Sequence, residues 1–232
     1  MRRYLALLVL IAALTDLALA QDKPRLVLRD GHSDAILAIA PINHGLEAVT
    51  VSADGTVKLW DLVEGQVLRT SVERTAQGHA DTDPYEAACL IPDQDLAAAM
   101  DGRGRVRTWN YRTGKLVSKF SLDHGADGLS TDGENYFIHT SGSLIKTDRE
   151  GRVLAEIDLD DRDTEAFGLQ GPFCIVKDDS ELLVLDTDGL KELHRIPVSR
   201  EFSANISPDG KTIVVGFDQT FQVIDSATGQ VQ

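Results

Sequence analysis

The side chains most able to do chemistry in this chain are its histidines, two cysteines and one dense acidic segment. Four of the six histidines lack a neighbour at metal-ligand spacing, and Cys89 and Cys174 lie singly inside apolar runs. The segment Glu156–Glu165 is rich in carboxylates, but it lacks the glycine turn of an EF-hand loop, which favours a solvated loop. No phosphate-binding Gly-Lys-Ser loop, G-x-S-x-G elbow, H-E-x-x-H pair or C-x-x-C pair occurs. We therefore expect no catalytic residue, no metal ion and no cofactor.

The net negative charge of the chain disfavours a nucleic acid partner. The chain has 232 residues, with 37 Asp and Glu against 23 Lys and Arg, so its formal charge is -14. This sign is wrong for holding a polyanion through its phosphates, and we expect no nucleic acid partner. With 42% apolar residues and ordinary glycine and proline content, the composition is that of a soluble globular domain.

The first twenty residues form a separate unit. Arg2 and Arg3 precede an eleven-residue apolar run, Tyr4 to Leu14, and Ala18-Leu19-Ala20 has the small residues that a signal peptidase reads. The run is shorter than the ~20 apolar residues that span a bilayer, so an uncleaved anchor is disfavoured. We predict a signal peptide over residues 1–20, a secreted or periplasmic domain over residues 21–232, and no membrane contact after cleavage.

A repeat organises the remainder of the chain. A strand ending in an acidic or amide residue is followed by a glycine turn and a second strand, and this pattern occurs five times. Intervals of 49, 38, 38 and 39 residues separate the closing residues Asp61, Asn110, Asp148, Asp186 and Asp225. Two further strand-like runs precede each closing strand. Four short strands per ~40 residues predict one blade of a β-propeller.

The first repeat carries the most specific residues. His32 in a Gly-His pair, Ser52 and Asp54 in S-x-D, and Trp60 in Trp-Asp resemble the WD40 repeat. In that family the four side chains form a hydrogen-bonded set that locks the blade, and the resemblance implies the same for His32, Ser52, Asp54 and Trp60. The second repeat keeps the Gly-His pair, as Gly78-His79, and Trp109, but has Arg103 in place of the Asp. Later repeats keep only the closing Asp. The fold class expected is all-β, a WD40-like β-propeller with five four-stranded blades' worth of repeats.

The resemblance leaves the ring and the function open. Five repeats fit either a five-bladed ring closed by Arg25–Arg29 (RLVLR) or the first part of a longer propeller, which we favour because the usual seven blades need about 294 residues. In many bacterial secreted proteins that begin similarly, such a propeller precedes a caspase-like peptidase domain. The T-G-K and T-G-Q stretches also resemble quinoprotein propellers, but both tryptophans stand where WD40 repeats have them.

We favour a non-catalytic scaffold that binds a protein partner through propeller loops. The loops predicted at one end of the blades are strongly acidic, which indicates a basic partner, although solubility explains the same charges. The partner-binding candidates are carboxylates of these loops, namely Asp81, Asp83, Asp101, Asp160, Asp161 and Asp163.

Overall fold

The computed structural model describes residues 31–74, 80–81, 83–122, 127–140, 142–159, 165–178, 180–198, 202–217 and 219–232. The predicted signal peptide and Arg25–Arg29 lie outside these residues. Within the described residues the regular structure is β-strand, apart from two three-residue 3-10 turns at Asn43–Gly45 and Pro92–Gln94. No helical segment in this part of the chain is long and apolar enough to span a membrane.

The strands form five antiparallel sheets that follow one another along the chain, and the expected propeller blades are confirmed. The first two blades are four-stranded. Their strands are β1 (Ile36–Ile42), β2 (Glu47–Ser52), β3 (Thr56–Asp61) and β4 (Gln66–Ser71), then β7 (Tyr85–Ile91), β8 (Leu96–Asp101), β9 (Arg105–Asn110) and β10 (Lys115–Ser121). Between them a small hairpin pairs β5 (Glu73–Arg74) with β6 (Ala80–Asp81), which accounts for the longer first interval of the repeat.

Blades 3 and 4 repeat the same order, while blade 5 has three strands. The strands are β11 (Gly128–Thr131), β12 (Tyr136–Thr140), β13 (Ser143–Thr147) and β14 (Val153–Asp158), then β15 (Glu165–Gln170), β16 (Phe173–Asp178), β17 (Glu181–Asp186) and β18 (Glu192–Pro197), and last β19 (Ser203–Ile206), β20 (Thr212–Phe217) and β21 (Thr220–Asp225). In blade 5 a single bridge, Ile224 to Val231, stands where the other blades begin a fourth strand.

The closing Asp or Asn of each repeat shapes the turn that follows it. Its side-chain oxygen accepts backbone N–H groups two to four residues later, as Asp61 does from Val63 and Glu64 at 2.8 and 2.9 Å. Asn110, Asp148, Asp186 and Asp225 make the corresponding bonds. In a tight turn these backbone N–H groups have no backbone carbonyl to bond, and the carboxylate or amide oxygen accepts from them instead. Acidic or amide residues therefore recur at this position.

A β-bulge also recurs where the fourth strand starts. Two residues of this strand oppose one residue of the third strand in blades 1 to 4. The extra residue is an exposed aliphatic in every case, namely Leu68, Val117, Leu154 or Leu193. The bulge increases the local twist and turns these four side chains away from the blade cores.

The cores lie between blades rather than within them. Four apolar clusters join blade 1 to 2, 2 to 3, 3 to 4 and 4 to 5. At the second of these junctions Gly151, with φ +86°, lies so close to Phe120 that a Cβ atom would come within 2.4 Å of the ring. Within His32–Gln232 the inner strands of successive blades pack side by side, but those of blades 5 and 1 do not, so the described blades do not close into a ring.

Candidate functional site

A buried polar set lies on the face of blade 1 that is turned away from blade 2. His32 Nδ1 is 3.0 Å from Asp54 Oδ2, and His32 Nε2 is 2.7 Å from the hydroxyl of Thr50. Trp60 Nε1 donates to the same hydroxyl at 2.7 Å. Thr50 therefore joins Trp60 to His32, and His32 joins this pair to Asp54.

Each side chain of this set donates to the next, from Trp60 to Thr50, then to His32 and finally to Asp54. The indole N–H can only donate, so the Thr50 oxygen accepts from Trp60 and its own hydrogen points to His32 Nε2. His32 Nδ1 then carries the proton and donates to Asp54. Burial raises the pKa of Asp54, but hydrogen bonds from Thr56, the Ser33 backbone and His32 outweigh it, and the net pKa is lowered. The carboxylate is thus held ionised beside the imidazole.

Ser52 does not occupy the place expected for it. Its hydroxyl donates to the Asp34 carbonyl at 3.2 Å and accepts the Asp54 backbone N–H at 3.1 Å, so it shapes the turn instead. Thr50 and Ser52 point to the same face of β2, and only the register decides between them. Trp60 pairs with Ala48, which places Thr50 within its reach. The hydroxyl member of the set is therefore Thr50, a correction to the sequence-based assignment.

Blade 2 has no such set. At the register position of Thr50 it has Ala99, and among the described residues Trp109 Nε1 is one of two buried side-chain polar atoms without a hydrogen-bond partner. Arg103 stands at the position of Asp54, as the sequence indicated. Gly78 and His79, expected as the Gly-His pair of this blade, lie outside the described residues.

A charged cluster takes the place of the set in blade 2. Asp101 is only 2% exposed and accepts from Arg107 Nη1 at 2.8 Å and from Arg105 Nε at 2.7 Å. Arg107 also pairs with Glu73, which in turn binds Lys119 Nζ at 2.9 Å. Arg107 is buried too, and its guanidinium lies over the Tyr85 ring. The cluster thereby connects the hairpin after blade 1 to β9 and β10.

The pairing sets the ionisation of this cluster. Burial raises the pKa of Asp101, yet hydrogen bonds from Arg107 and from the backbone of Arg105 and Arg103 bring the net pKa below the ordinary value. Burial likewise raises the pKa of Glu73, and its bonds to Lys119 and Arg107 lower it overall. A cavity of about 310 Å³ adjoins Glu73, Arg105, Arg107 and Lys119.

The carboxylates that the sequence predicts to bind a partner differ in burial and in ion pairing. Asp101 is buried and both its oxygens are occupied, so this candidate is wrong. Asp83 is partly exposed and pairs with Arg105 and Arg103, which leaves its charge partly neutralised. Asp81 lies in β6, where the backbone is described. Asp160, Asp161 and Asp163 lie outside the described residues.

Three other carboxylates stand at the same end of the blades. Asp34 and Asp127 precede β1 and β11, and Glu86 lies at the start of β7. All three are exposed, and Glu86 extends over Gly102 in the neighbouring turn. Because the blades repeat one strand order, the starts of their inner strands lie at one end. The described residues thus include an acidic end, made of Asp34, Asp83, Glu86 and Asp127.

The described residues include no group of three or more His, Cys, Asp or Glu side chains that could hold a metal ion. Cys89 and Cys174 are free thiols, and burial raises the pKa of each to about 12. Both therefore stay protonated near neutral pH and pack as small apolar side chains.

Sequence reasoning missed Thr50 and the charged cluster, and each left a signal. T-V-S in β2 places two hydroxyls on one face, and counting the pairing from the turn to Trp60 selects Thr50. R-V-R in β9 places Arg105 and Arg107 on one face, directly after Asp101. Two arginines at strand spacing beside an aspartate indicate a buried ion pair. The contribution of Glu73 has no local signal.

The assignment of Thr50 predicts a specific energetic coupling. In a double-mutant cycle, Thr50→Val and Trp60→Phe each remove one partner of the same hydrogen bond, so we expect a coupling free energy of about 1 kcal/mol in urea unfolding. Ser52→Ala combined with Trp60→Phe is the matched control, and it should be additive within about 0.5 kcal/mol. Coupling at Ser52 and additivity at Thr50 would restore the sequence-based assignment.

Asp101→Asn should be strongly destabilising, because it leaves the buried Arg107 cation without one of its partners. We expect a loss of about 3 kcal/mol at pH 7. The folded-state pKa of Asp101 is lowered, so its stabilisation is present above the ordinary Asp pKa of about 3.9 and disappears as the pH falls through the folded value. Urea unfolding of both proteins between pH 7 and pH 2 should show the difference shrinking below about pH 4. The control Asp34→Asn, at an exposed carboxylate, should change stability by less than about 0.5 kcal/mol, and a pH-independent loss at Asp101 would contradict the electrostatic explanation.

Comparison with known proteins agrees with the geometry of blade 1. Residues 22–61 match the family model described as WD domain, G-beta repeat. This range ends at the closing Asp61 of the first repeat and includes His32, Thr50, Asp54 and Trp60.

Two curated proteins are similar over parts of the chain. The Target of rapamycin complex subunit wat1 of Schizosaccharomyces pombe is 29% identical over 108 residues, which cover 45% of this chain and 32% of that protein. The NACHT domain- and WD repeat-containing protein 1 of Mus musculus is 26% identical over 87 residues, which cover 38% of this chain and 5% of that protein. The chain therefore spans at most about a third of these relatives. Its described fold is that of a WD40-like β-propeller whose five blades do not close into a ring.

Proposed function

We propose that this chain is an exported, non-catalytic protein-interaction scaffold whose acidic end binds a basic protein partner. The observation that carries the proposal is the exposure of Asp34, Glu86 and Asp127 at the starts of three inner strands. The blades beneath them are pinned by the polar set in blade 1 and by the charged cluster in blade 2. Rigid loops on a packed scaffold lose little conformational entropy on binding, which favours recognition of another protein.

The similar proteins support a role in assembly. The relative from Schizosaccharomyces pombe is, by its name, a subunit of a complex. WD40 repeats generally mediate contacts between proteins, and residues 22–61 match such a repeat. The side chains of the described residues favour binding over catalysis. Cys174 is buried and Cys89 partly buried, and burial raises the pKa of both thiols to about 12. His32 is held within the polar set of blade 1.

Charge reversal at the acidic end tests this proposal. A fluorescent lysine-rich peptide serves as the probe, and binding is measured by anisotropy at several salt concentrations. The triple variant Asp34→Lys, Glu86→Lys and Asp127→Lys should bind about tenfold or more weakly at low salt, because three exposed ion pairs contribute up to about 1 kcal/mol each. Binding by the wild type should weaken as salt rises.

The matched control reverses three exposed carboxylates in turns at the opposite end of the blades, Glu64, Asp93 and Asp188, to Lys. Both triple variants have the same net charge, so a general charge effect would weaken them equally. Such an equal loss would overturn the acidic end as the binding site. A further variant tests whether the remaining predicted carboxylates bind the partner together with the acidic end. In this variant Lys replaces Asp81, Asp160, Asp161 and Asp163.

The proposed export rests on the residues of the N-terminus and has its own test. When the chain is produced in bacteria, mass spectrometry of the exported protein should find Gln21 as its first residue. Ala18→Arg or Ala20→Arg should block cleavage, because the peptidase reads small side chains at these two positions, whereas Leu19→Arg between them should be cleaved. An uncleaved protein that remains in the cytoplasm would show that residues 1–20 are not a signal peptide.

A further inference from the structure

A cavity with a positively charged wall lies beside the two outer strands of blade 2 and the hairpin that follows blade 1. Its volume is about 310 Å³, at the lower end of the range of about 300–1,000 Å³ for small-molecule sites. Its lining includes three cations, one carboxylate and two apolar residues of β9 and β10, namely Arg105, Arg107, Lys119, Glu73, Val106 and Phe120. Three positive charges and one negative charge give this wall a net +2, in a chain whose formal charge is -14. We call it the basic cavity.

A second cavity in blade 2, of about 190 Å³, has the opposite charge balance. Three carboxylates line it, Asp83, Glu86 and Asp101, against the two cations Arg103 and Arg105. Arg105 lines both cavities and pairs with Asp83 and Asp101. The charges of blade 2 are thus segregated, and an anion is attracted to the basic cavity rather than to its neighbour.

The basic cavity already binds one carboxylate of the chain itself. Glu73 accepts hydrogen bonds from Arg107 Nε and, at 2.9 Å, from Lys119 Nζ. An ammonium group has three N–H donors, and this bond uses one of them. The Lys119 side chain is 64% exposed, so a second carboxylate can reach it from solvent.

Two cations of the basic cavity are accessible at a defined spacing. The side chains of Arg105 and Lys119 are 29% and 64% exposed. Arg105 pairs with Ser121 across β9 and β10, and Lys119 pairs with Arg107, so Arg105 and Lys119 are diagonal neighbours on one face. Diagonal neighbours in an antiparallel pair lie about 7 Å apart. Two carboxylates joined by a short aliphatic chain can therefore contact both cations at once.

We propose that the basic cavity binds a small aliphatic dicarboxylate, with one carboxylate at Lys119 and the other at Arg105. The two negative charges of such a ligand balance the net +2 of the wall. Arg107 is held between Asp101 and Glu73, so the wall is ordered before the ligand arrives. This inference does not depend on the acidic end, because the proposed contacts are made by cations.

Isothermal titration calorimetry with glutarate tests the proposal, and two analogues of similar length serve as comparison probes. Butyrate has one carboxylate and should bind about fivefold more weakly than glutarate, the share of one partly exposed ion pair. Glutaramide has no charge and should bind more weakly still. Binding of glutarate should weaken as salt rises. No measurable binding at about 10 mM glutarate, or equal affinity for glutarate and glutaramide, would overturn the proposal.

Variants of β10 test where the ligand binds. Lys119→Gln should weaken glutarate binding about fivefold, whereas Lys119→Arg keeps the charge and should change it by less than about twofold. The matched control is Lys115→Gln, which removes the same charge from an exposed lysine of the same strand that does not line the basic cavity. This control should also change affinity by less than about twofold. Equal losses in the two Gln variants would show that net charge, and not the basic cavity, determines the affinity.

Glu73→Gln should change the affinity in the opposite direction. It removes the one carboxylate among the charged side chains that line the basic cavity, so the net charge of the wall rises from +2 to +3. Glutarate should then bind a few-fold more tightly, because less repulsion opposes its carboxylates. An ion pair that only holds the strands together would give no gain in affinity. Unchanged or weaker binding by this variant, with its melting transition still cooperative, would contradict the proposal.

Discussion

Blades 2, 3 and 4 each bury apolar side chains on both faces of their sheet, against the blade before and the blade after, and this constrains the rest of the structure. A four-stranded blade that buries only one face would leave the other in water, so each blade depends on the next for stability. The four apolar clusters each draw residues from two adjacent blades. Polar links follow the same seams, as where buried Lys146 of blade 3 donates to the carbonyls of Thr187 and Asp188 in blade 4.

The acidic residues of the chain serve three separate purposes. The closing Asp accepts hydrogen bonds from the backbone of the turn that follows it, as Asp225 does from the N–H groups of Ala227 and Thr228. Asp101 forms an ion pair with the buried Arg107, and Glu73 forms one with Lys119. A third group of the described carboxylates, which includes Asp34, Glu86 and Asp127, is exposed to solvent. Net charge therefore overstates how much of the acidity a partner can reach, since a carboxylate with its oxygens occupied contributes little to recognition.

Blades 1 and 2 hold their strands together through different polar interactions: hydrogen bonds in blade 1 and buried ion pairs in blade 2. Both carry a Trp at one register position and polar groups around it. In blade 1 the chain from Trp60 through Thr50 and His32 to Asp54 satisfies each buried donor. In blade 2 Ala99 provides no hydroxyl, and buried ion pairs around Arg107 hold the strands instead. Ion pairs of this kind depend strongly on completeness, because an unpaired buried charge costs far more than an unpaired hydroxyl.

The amino-acid sequence by itself determined the repeat, the strand alternation and the position of each turn, because these depend on residues a few positions apart. The oxygen of Asp186, for example, bonds the backbone of Gly189. Only the tertiary structure decided between Thr50 and Ser52, since both lie on one face and the choice depends on pairing with another strand. It alone buried Asp101, whose partner Arg107 also pairs with Glu73, 34 residues away. Long-range contacts of this kind have no periodic trace in the chain, because they join side chains that only blade packing brings together.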